Sequence, residues 1–282
     1  MQVYKQMDIG TAKIKKEQMQ GVTHYMIDEW NPDEEFNVMI FQKRVKEIME
    51  DIYNRGKIPI LVGGTGFYIQ AVLNDIAFTK EKQGDEIRAD LQNLAKEKGA
   101  SYLHHELQKV DKESAEAIHP NNIKRVIRAL EYFQSTGQKF SDHNKEERQK
   151  GSPYNFLYLV LTMNRKVLYE RIDKRVDQMM EEGLVKEVKQ LLDAGYSRNL
   201  VSMQGLGYKE IASALFKECT MEEAVYRLKR DTRHFAKRQM TWFRRERDVT
   251  MINKDNFSNN HEIVNYIMKL AVEKGICLCR EG

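Results

Sequence analysis

Cysteine and proline are scarce in this chain, at three and four of 282 residues. Cys219, Cys277 and Cys279 are too few and too clustered for a disulfide framework or a four-ligand zinc site, which points to a reduced, cytoplasmic setting. Apolar runs are short. The richest, Phe156–Leu161, is far from the 18 or more residues of a membrane-spanning helix, and no apolar core follows Met1-Gln2-Val3-Tyr4-Lys5, so the start does not read as a signal peptide. Low proline and glycine (4 and 16) with 41% hydrophobic residues exclude collagen-like, mucin-like and wholly disordered chains. No G-x-x-x-x-G-K-[ST] occurs either: the one Gly-Lys pair, Gly56-Lys57, has Asp51 at the first glycine position and Ile58 after it. The seven histidines (24, 104, 105, 119, 143, 234 and 261) show no H-x-x-x-H spacing, so a protein-ligated zinc site is not expected.

What is present is an uneven charge. Lys and Arg total 46 against 42 acids, a net +4. Between Arg227 and Arg247, however, nine basic residues face only Asp231 and Glu246, so this segment carries +7 and the remaining 261 residues about −3. One basic element on a slightly acidic body suits a localised polyanion site; the alternative is a basic helix held by acids elsewhere.

Val38, Phe41, Val45, Ile48 and Ile52 recur at helical spacing and the run stops at Asn54-Arg55-Gly56. Ile58-Pro59-Ile60-Leu61-Val62 then reads as a short apolar strand, Gly63-Gly64-Thr65-Gly66 as a turn, and Phe67–Leu73 as a helix: one α/β unit of a parallel sheet, with a ligand expected at the strand's carboxyl end. Glycine there permits close backbone approach, and the following helix N-terminus favours an anion. Residues 79–152 change to charged, helix-favouring sequence, including Asp85–Glu97, Tyr102–Val110 and Ile123–Ser135. Phe156–Met163 reads as a buried strand, followed by helices punctuated at Gly183, Gly195, Gly205 and Gly207 and a last amphipathic helix around Ile263–Ala271. The expected domains are an α/β core of residues 1–78 and 153–282, interrupted by an all-helical insertion, 79–152.

Lys124, Arg125 and Arg128 lie one turn apart on a predicted helix after His119-Pro120-Asn121, offering one cationic face or an ordinary solvated one. In Thr232–Arg244, Phe235, Ala236, Met240 and Phe243 form a predicted inward stripe. This leaves Arg233, Lys237, Arg244 and Thr241 for phosphates and the aromatics for core packing or for stacking on an extruded base.

Together these strings resemble the tRNA dimethylallyltransferase (isopentenyltransferase) family: Met1-Gln2-Val3-Tyr4-Lys5-Gln6-Met7-Asp8-Ile9-Gly10-Thr11-Ala12-Lys13, His24–Asp28, Gly63–Tyr68, His119–Asn121 with Arg125 and Arg128–Glu131, Arg175–Met179, Gly205–Glu210 and Thr232–Arg244. The resemblance implies transfer of a dimethylallyl group from dimethylallyl diphosphate to N6 of the adenosine 3′ of a tRNA anticodon. The implied protein is a monomer with no membrane association and a P-loop-kinase-like parallel sheet, with Mg²⁺ accompanying the donor diphosphate. A channel between the glycine turn near residue 64 and the cationic helix near residue 238 would admit the flipped adenosine from one mouth and the donor from the other. By the same analogy Arg175 faces the diphosphate and Thr65 the channel. The anticodon arm would meet Met1, Gln2, Thr65, Arg88, Lys124, Arg125, Val126, Ile127, Arg128, Gln204, Gly205, Leu206, Gly207, Tyr208, Lys209, Arg233, Lys237 and Arg238; no metal ligand is assigned. Family members carry a first strand, a P-loop and an Asp-Ser pair before the motif that here starts at Met1. The general-base Asp is therefore expected outside these 282 residues and the chain alone is expected to be inactive. Asn164-Arg165 stands where members usually show Asp-Arg. Two other readings fit part of the chain: a P-loop-kinase-like small-molecule phosphotransferase and a non-catalytic tRNA-binding module.

Overall fold

The computed structural model describes residues 1–78 and 84–277; Cys279 and the expected domain boundary at residue 79 lie outside them. Two compact units emerge, Met1–Ile69 with Asn155–Gly282, and Gln70–Tyr154.

In the first unit, α1 (Val38–Asn54) starts where the Asn37 side chain accepts the amides of Met39 and Ile40, and ends before Gly56, at φ 66°. The first turn of α2 (Gly66–Leu73) belongs here, the rest to the second unit. Two strands follow in sequence, β1 (Tyr158–Thr162) and β2 (Val249–Asn253), paired in parallel with Tyr158 opposite Val249 and Thr162 opposite Asn253. The parallel sense was expected; the partner strand β2 was not. A further isolated parallel bridge joins Tyr4 to Trp30. The strand expected at Ile58–Val62 is absent: this backbone has no ladder partner among the described residues, and Ile60 and Val62 are 82% and 86% exposed. Apolar β-branched residues favour a strand only where a neighbour takes up their amides and carbonyls.

Between the strands run α8 (Arg165–Glu182), α9 (Leu184–Asp193), α10 (Tyr208–Leu215) and α11 (Met221–Phe243), and α12 (Asn260–Glu273) closes the described chain. Gly183 takes the left-handed conformation (φ 103°) that lets α8 end and α9 begin at one residue. Val176, Leu184, Val188, Leu191, Ile211, Ala224 and Leu228 from these helices, with Met203 from the short 3-10 turn Ser202–Gln204, surround Val3, Tyr4 and Met7 of the first loop in one core. No helix of the described residues is long and apolar enough to cross a membrane.

The second unit is helical: α3 (Gly84–Lys98), α4 (Ala100–Val110), α5 (Lys112–Ala117), α6 (Ile123–Thr136) and α7 (Phe140–Gln149). Its core is Leu91, Leu103, Leu107, Ile118, Val126, Ile127 and Leu130. Asp111, fully buried, ties three helices: one oxygen caps α5 through the Ser114 amide (3.0 Å) and the other accepts the Ser141 amide of α7 (2.9 Å).

Candidate functional site

α11 is capped by the Thr220 hydroxyl, which accepts the Glu223 amide, and carries Glu222 and Glu223 in its first turn, where carboxylates suit the helix dipole. Its basic residues fall into two sets. Toward the N-terminus each has a carboxylate: Arg227 with Glu223 (2.5 Å), Lys229 with Asp177 (2.6 Å), Arg230 with Asp231 (2.8 Å) and Arg233 with Asp173 (2.5 Å). Arg233, expected on phosphate, is instead one of two bridges binding α11 to α8. Toward the C-terminus Lys237, Arg238, Arg244 and Arg245 have no carboxylate partner among the described residues, an arrangement the negative end of the helix dipole favours. Phe235 is 39% exposed rather than inward, and the Arg238 guanidinium lies over its ring at 5.7 Å; residue 235 sits a helical step to the side of buried Phe243. The Thr241 hydroxyl is turned back onto the Lys237 carbonyl (3.0 Å).

The glycine turn meets this cationic half directly. Gln239 Nε2 donates to the Gly64 carbonyl at 2.8 Å, and a Cβ on Gly64 would lie 2.1 Å from that nitrogen. A Cβ on Gly66 would lie 2.2 Å from the Trp242 ring, which meets Phe67 edge-on. These two glycines thus admit side chains of α11, and contact stands where a passage was expected. Thr65 is exposed at the start of α2, its carbonyl accepting the amides of Tyr68 and Ile69.

The first loop is held by two charges: Lys13, which ends the first motif without a role assigned to it, and Glu187, which no motif contains. Lys13, its side chain 6% exposed, donates to the Tyr4 carbonyl and to Asp8 and Asp28. Glu187, on α9, accepts three successive amides, Asp8, Ile9 and Gly10, and the Tyr208 hydroxyl. Tyr208 is therefore a correction: it is fully buried, and burial together with the Glu187 charge holds its hydroxyl protonated far above the usual tyrosine range. Gly207 is buried too, at φ 94° against Gly10. Gln204 is exposed, Leu206 half-buried, and Lys209 half-buried beside Glu210 at 3.4 Å. Met1 is exposed and packs on Gly205, while Gln2 donates to the Thr11 and Ala12 carbonyls.

In the second unit Lys124 and Arg125 are exposed on α6, whereas Val126 and Ile127, expected at the same interface, are 0% and 5% exposed in the core; a helix turns every fourth residue inward, and a contiguous motif spans both faces. Arg88 (2.8 Å) and Arg128 (3.3 Å) converge on buried Glu131.

Arg175 is exposed on α8, with no partner among the described residues. An open cleft of about 690 Å³ at the start of that helix is lined by Asn164, Arg165, Lys166, Tyr169, Glu170, Asp173 and Arg233, a balanced mix of charges. No group of three or more His, Cys, Asp or Glu comes together to hold a metal among the described residues.

Two parallel strands with helices running between them make an α/β arrangement. The family model described as IPP transferase matches residues 2–246, and the chain belongs to that family; it is a transferase. It is 57% identical over 276 residues to the tRNA dimethylallyltransferase of Lachnoclostridium phytofermentans, covering 98% of this chain and 88% of that protein, and 49% identical over 268 residues to that of Bacillus cereus, covering 95% and 84%. Among solved structures it is similar to the tRNA isopentenylpyrophosphate transferase of Bacillus halodurans (44% identity, TM-score 0.70, 97% of this chain and 86% of that one). It is also similar to a eukaryotic dimethylallyltransferase acting on tRNA (27% identity, TM-score 0.80, 100% and 73%). The expected N-terminal deficit finds no support in the family match, which begins at residue 2.

Proposed function

We propose that this protein transfers a dimethylallyl group from dimethylallyl diphosphate to N6 of the adenosine 3′ of a tRNA anticodon. The observation that carries the reading is the division of α11: Lys229 and Arg233 are neutralised by Asp177 and Asp173 of α8, while Lys237 and Arg238, next in sequence to the Gln239 that meets the glycine turn, have no carboxylate partner among the described residues. Cations kept without partners have an unfavourable self-energy that a polyanion relieves, and partly exposed Trp242 and Phe67 offer faces on which an unstacked base can rest.

In this reaction the adenosine N6 bonds to C1 of the prenyl group, the C1–O bond breaks, and diphosphate leaves with the electron pair while the N6 proton passes to a base. Arg175, exposed and unpaired, is assigned to the departing diphosphate, whose developing charge needs a fixed cation. Magnesium fits this reading as an ion carried by the donor's phosphates, since the described residues bring no carboxylate cluster together for it. Met1, Gln2, Thr65, Gln204, Gly205, Leu206, Lys209, Lys237 and Arg238 are assigned to the RNA in the first unit, and Arg88, Lys124, Arg125 and Arg128 in the second. The protein is proposed to be a cytoplasmic monomer.

The test is to incubate the intact protein with an anticodon stem-loop and labelled dimethylallyl diphosphate. Label in the RNA is the expected result. Failure to bind the stem-loop, or phosphate transfer to a small molecule in its place, overturns the reading.

A further inference from the structure

Glu187 lies in none of the motifs that pointed to this function, yet it joins two of them. Its Oε2 accepts the amides of Asp8 (2.9 Å) and Ile9 (2.7 Å), and its Oε1 accepts the amide of Gly10 (3.0 Å) and the Tyr208 hydroxyl (2.7 Å). Four donors fill the acceptor capacity of a carboxylate, and all four come from residues 8–10 and 208. Three successive amides directed at one anion form a concave nest of donors, here answered by a side chain of the same protein.

The surrounding geometry shows what this clamp fixes. Gly10 carries no side chain because the Tyr208 ring occupies the space: a Cβ there would lie 2.6 Å from the ring. A Cβ on Gly207 would lie 3.8 Å from the Gly10 Cα, and the Met1 side chain packs on Gly205. The loop from Met1 to Lys13 is thus pinned at its middle by Glu187 and internally by Lys13, and its first residue rests on the Gly205–Tyr208 segment. It also contains two non-glycine residues in the left-handed region, Gln6 (φ 63°) and Ala12 (φ 50°), conformations that persist only where surrounding contacts over-determine them.

We infer that Glu187 is a positioning residue: with Tyr208 it sets the placement of Met1 and Gln2 relative to Gln204 and Gly205, and through them the seating of the extruded adenosine. This rests on the proposed function. It concerns orientation of one base and leaves the bulk of RNA affinity to phosphate contacts elsewhere.

The experiment uses an anticodon stem-loop with 2-aminopurine in place of the adenosine 3′ of the anticodon, titrated with the intact protein, with Glu187→Gln, with Tyr208→Phe and with Asp111→Asn. Glu187→Gln keeps the shape but turns an acceptor oxygen into an NH₂ group facing existing donors; Asp111→Asn does the same to a buried carboxylate of the second unit that accepts from Ser114 and Ser141. The wild-type protein is expected to bind with a rise in fluorescence as the base leaves the stack. Glu187→Gln is expected to hold affinity within about threefold while most of that rise is lost, Tyr208→Phe to show the same split to a smaller degree, and Asp111→Asn to lower the melting temperature with the rise intact. An unchanged signal in Glu187→Gln overturns the inference, as does a loss that Asp111→Asn reproduces at equal loss of melting temperature. If Glu187→Gln does not fold, Tyr208→Phe decides by the same criterion. Absence of RNA binding or of a fluorescence rise in the wild type overturns the functional reading instead.

Discussion

Replacing Lys237 and Arg238 by glutamine tests whether the unpaired half of α11 meets phosphate. Among the described residues neither side chain has a carboxylate partner, and the Arg238 guanidinium lies over Phe235, an exposed cation–π contact of about 0.5–1 kcal/mol. Stability should therefore fall by no more than about that amount. Binding should change much more. Each phosphate neutralised contributes about 0.7 to 0.9 to the slope of log K against log salt, so losing two contacts flattens the slope by about 1.4–1.8. Over a fourfold rise in salt the wild type then loses about ninefold more affinity than the double variant. The assay is filter binding of an anticodon stem-loop from low to moderate salt. Lys229→Gln with Arg233→Gln is the matched comparison: it removes the same charge but breaks the bridges to Asp177 and Asp173. It should cost about 0–1 kcal/mol per pair and flatten the slope by well under one contact. Equal flattening by both pairs would refute the division of the helix into a structural and a binding half.

Arg175→Ala should depress use of the donor while leaving RNA affinity and melting temperature unchanged, because its side chain is exposed and unpaired; steady-state rates against both substrates check this. Gly10→Ala forces a methyl against the Tyr208 ring and should cost about 1–3 kcal/mol by chemical denaturation, as overpacking does. For Asp111, burial alone would raise the acidity constant's pKa, but the bonds from Ser114 and Ser141 outweigh it and the carboxyl is held below its ordinary 3.8. A depressed native pKa stabilises above the unfolded value and is lost as pH falls through the native one. Wild-type stability should accordingly drop on acidification below about pH 4, and Asp111→Asn, less stable at neutral pH, should show a shallower acid dependence in melting scans.

Most helices could be read from periodicity and caps: Val38 to Ile52 with Asn37 and Gly56, and Arg165 to Gly183, carry their limits locally. Sheet content could be read only in part: Phe156–Met163 has the composition of a strand and contains β1. Ile58–Val62 has strand composition but no ladder partner among the described residues, while Val249–Asn253 becomes a strand by pairing with residues ninety-one positions earlier. The site divides the same way. That α11 is cationic is plain in the sequence; that Arg233 and Lys229 are neutralised depends on carboxylates of α8, and a contiguous motif hides that Val126 and Ile127 face inward between exposed cations. Glu187 gave no signal at all, because an isolated Glu on an amphipathic helix looks like any solvated residue until three amides and a hydroxyl are found around it.

The central claim is a prenyl transfer to one exocyclic amine, and the most direct test removes only that amine. The intact protein is incubated with dimethylallyl diphosphate and a stem-loop carrying purine riboside in place of the adenosine 3′ of the anticodon, and products are read by mass spectrometry beside the unmodified stem-loop. The account predicts a gain of one C₅H₈ unit on the adenosine-bearing RNA and none on the purine analogue, with both RNAs bound comparably. Addition of the same unit to the analogue would contradict it.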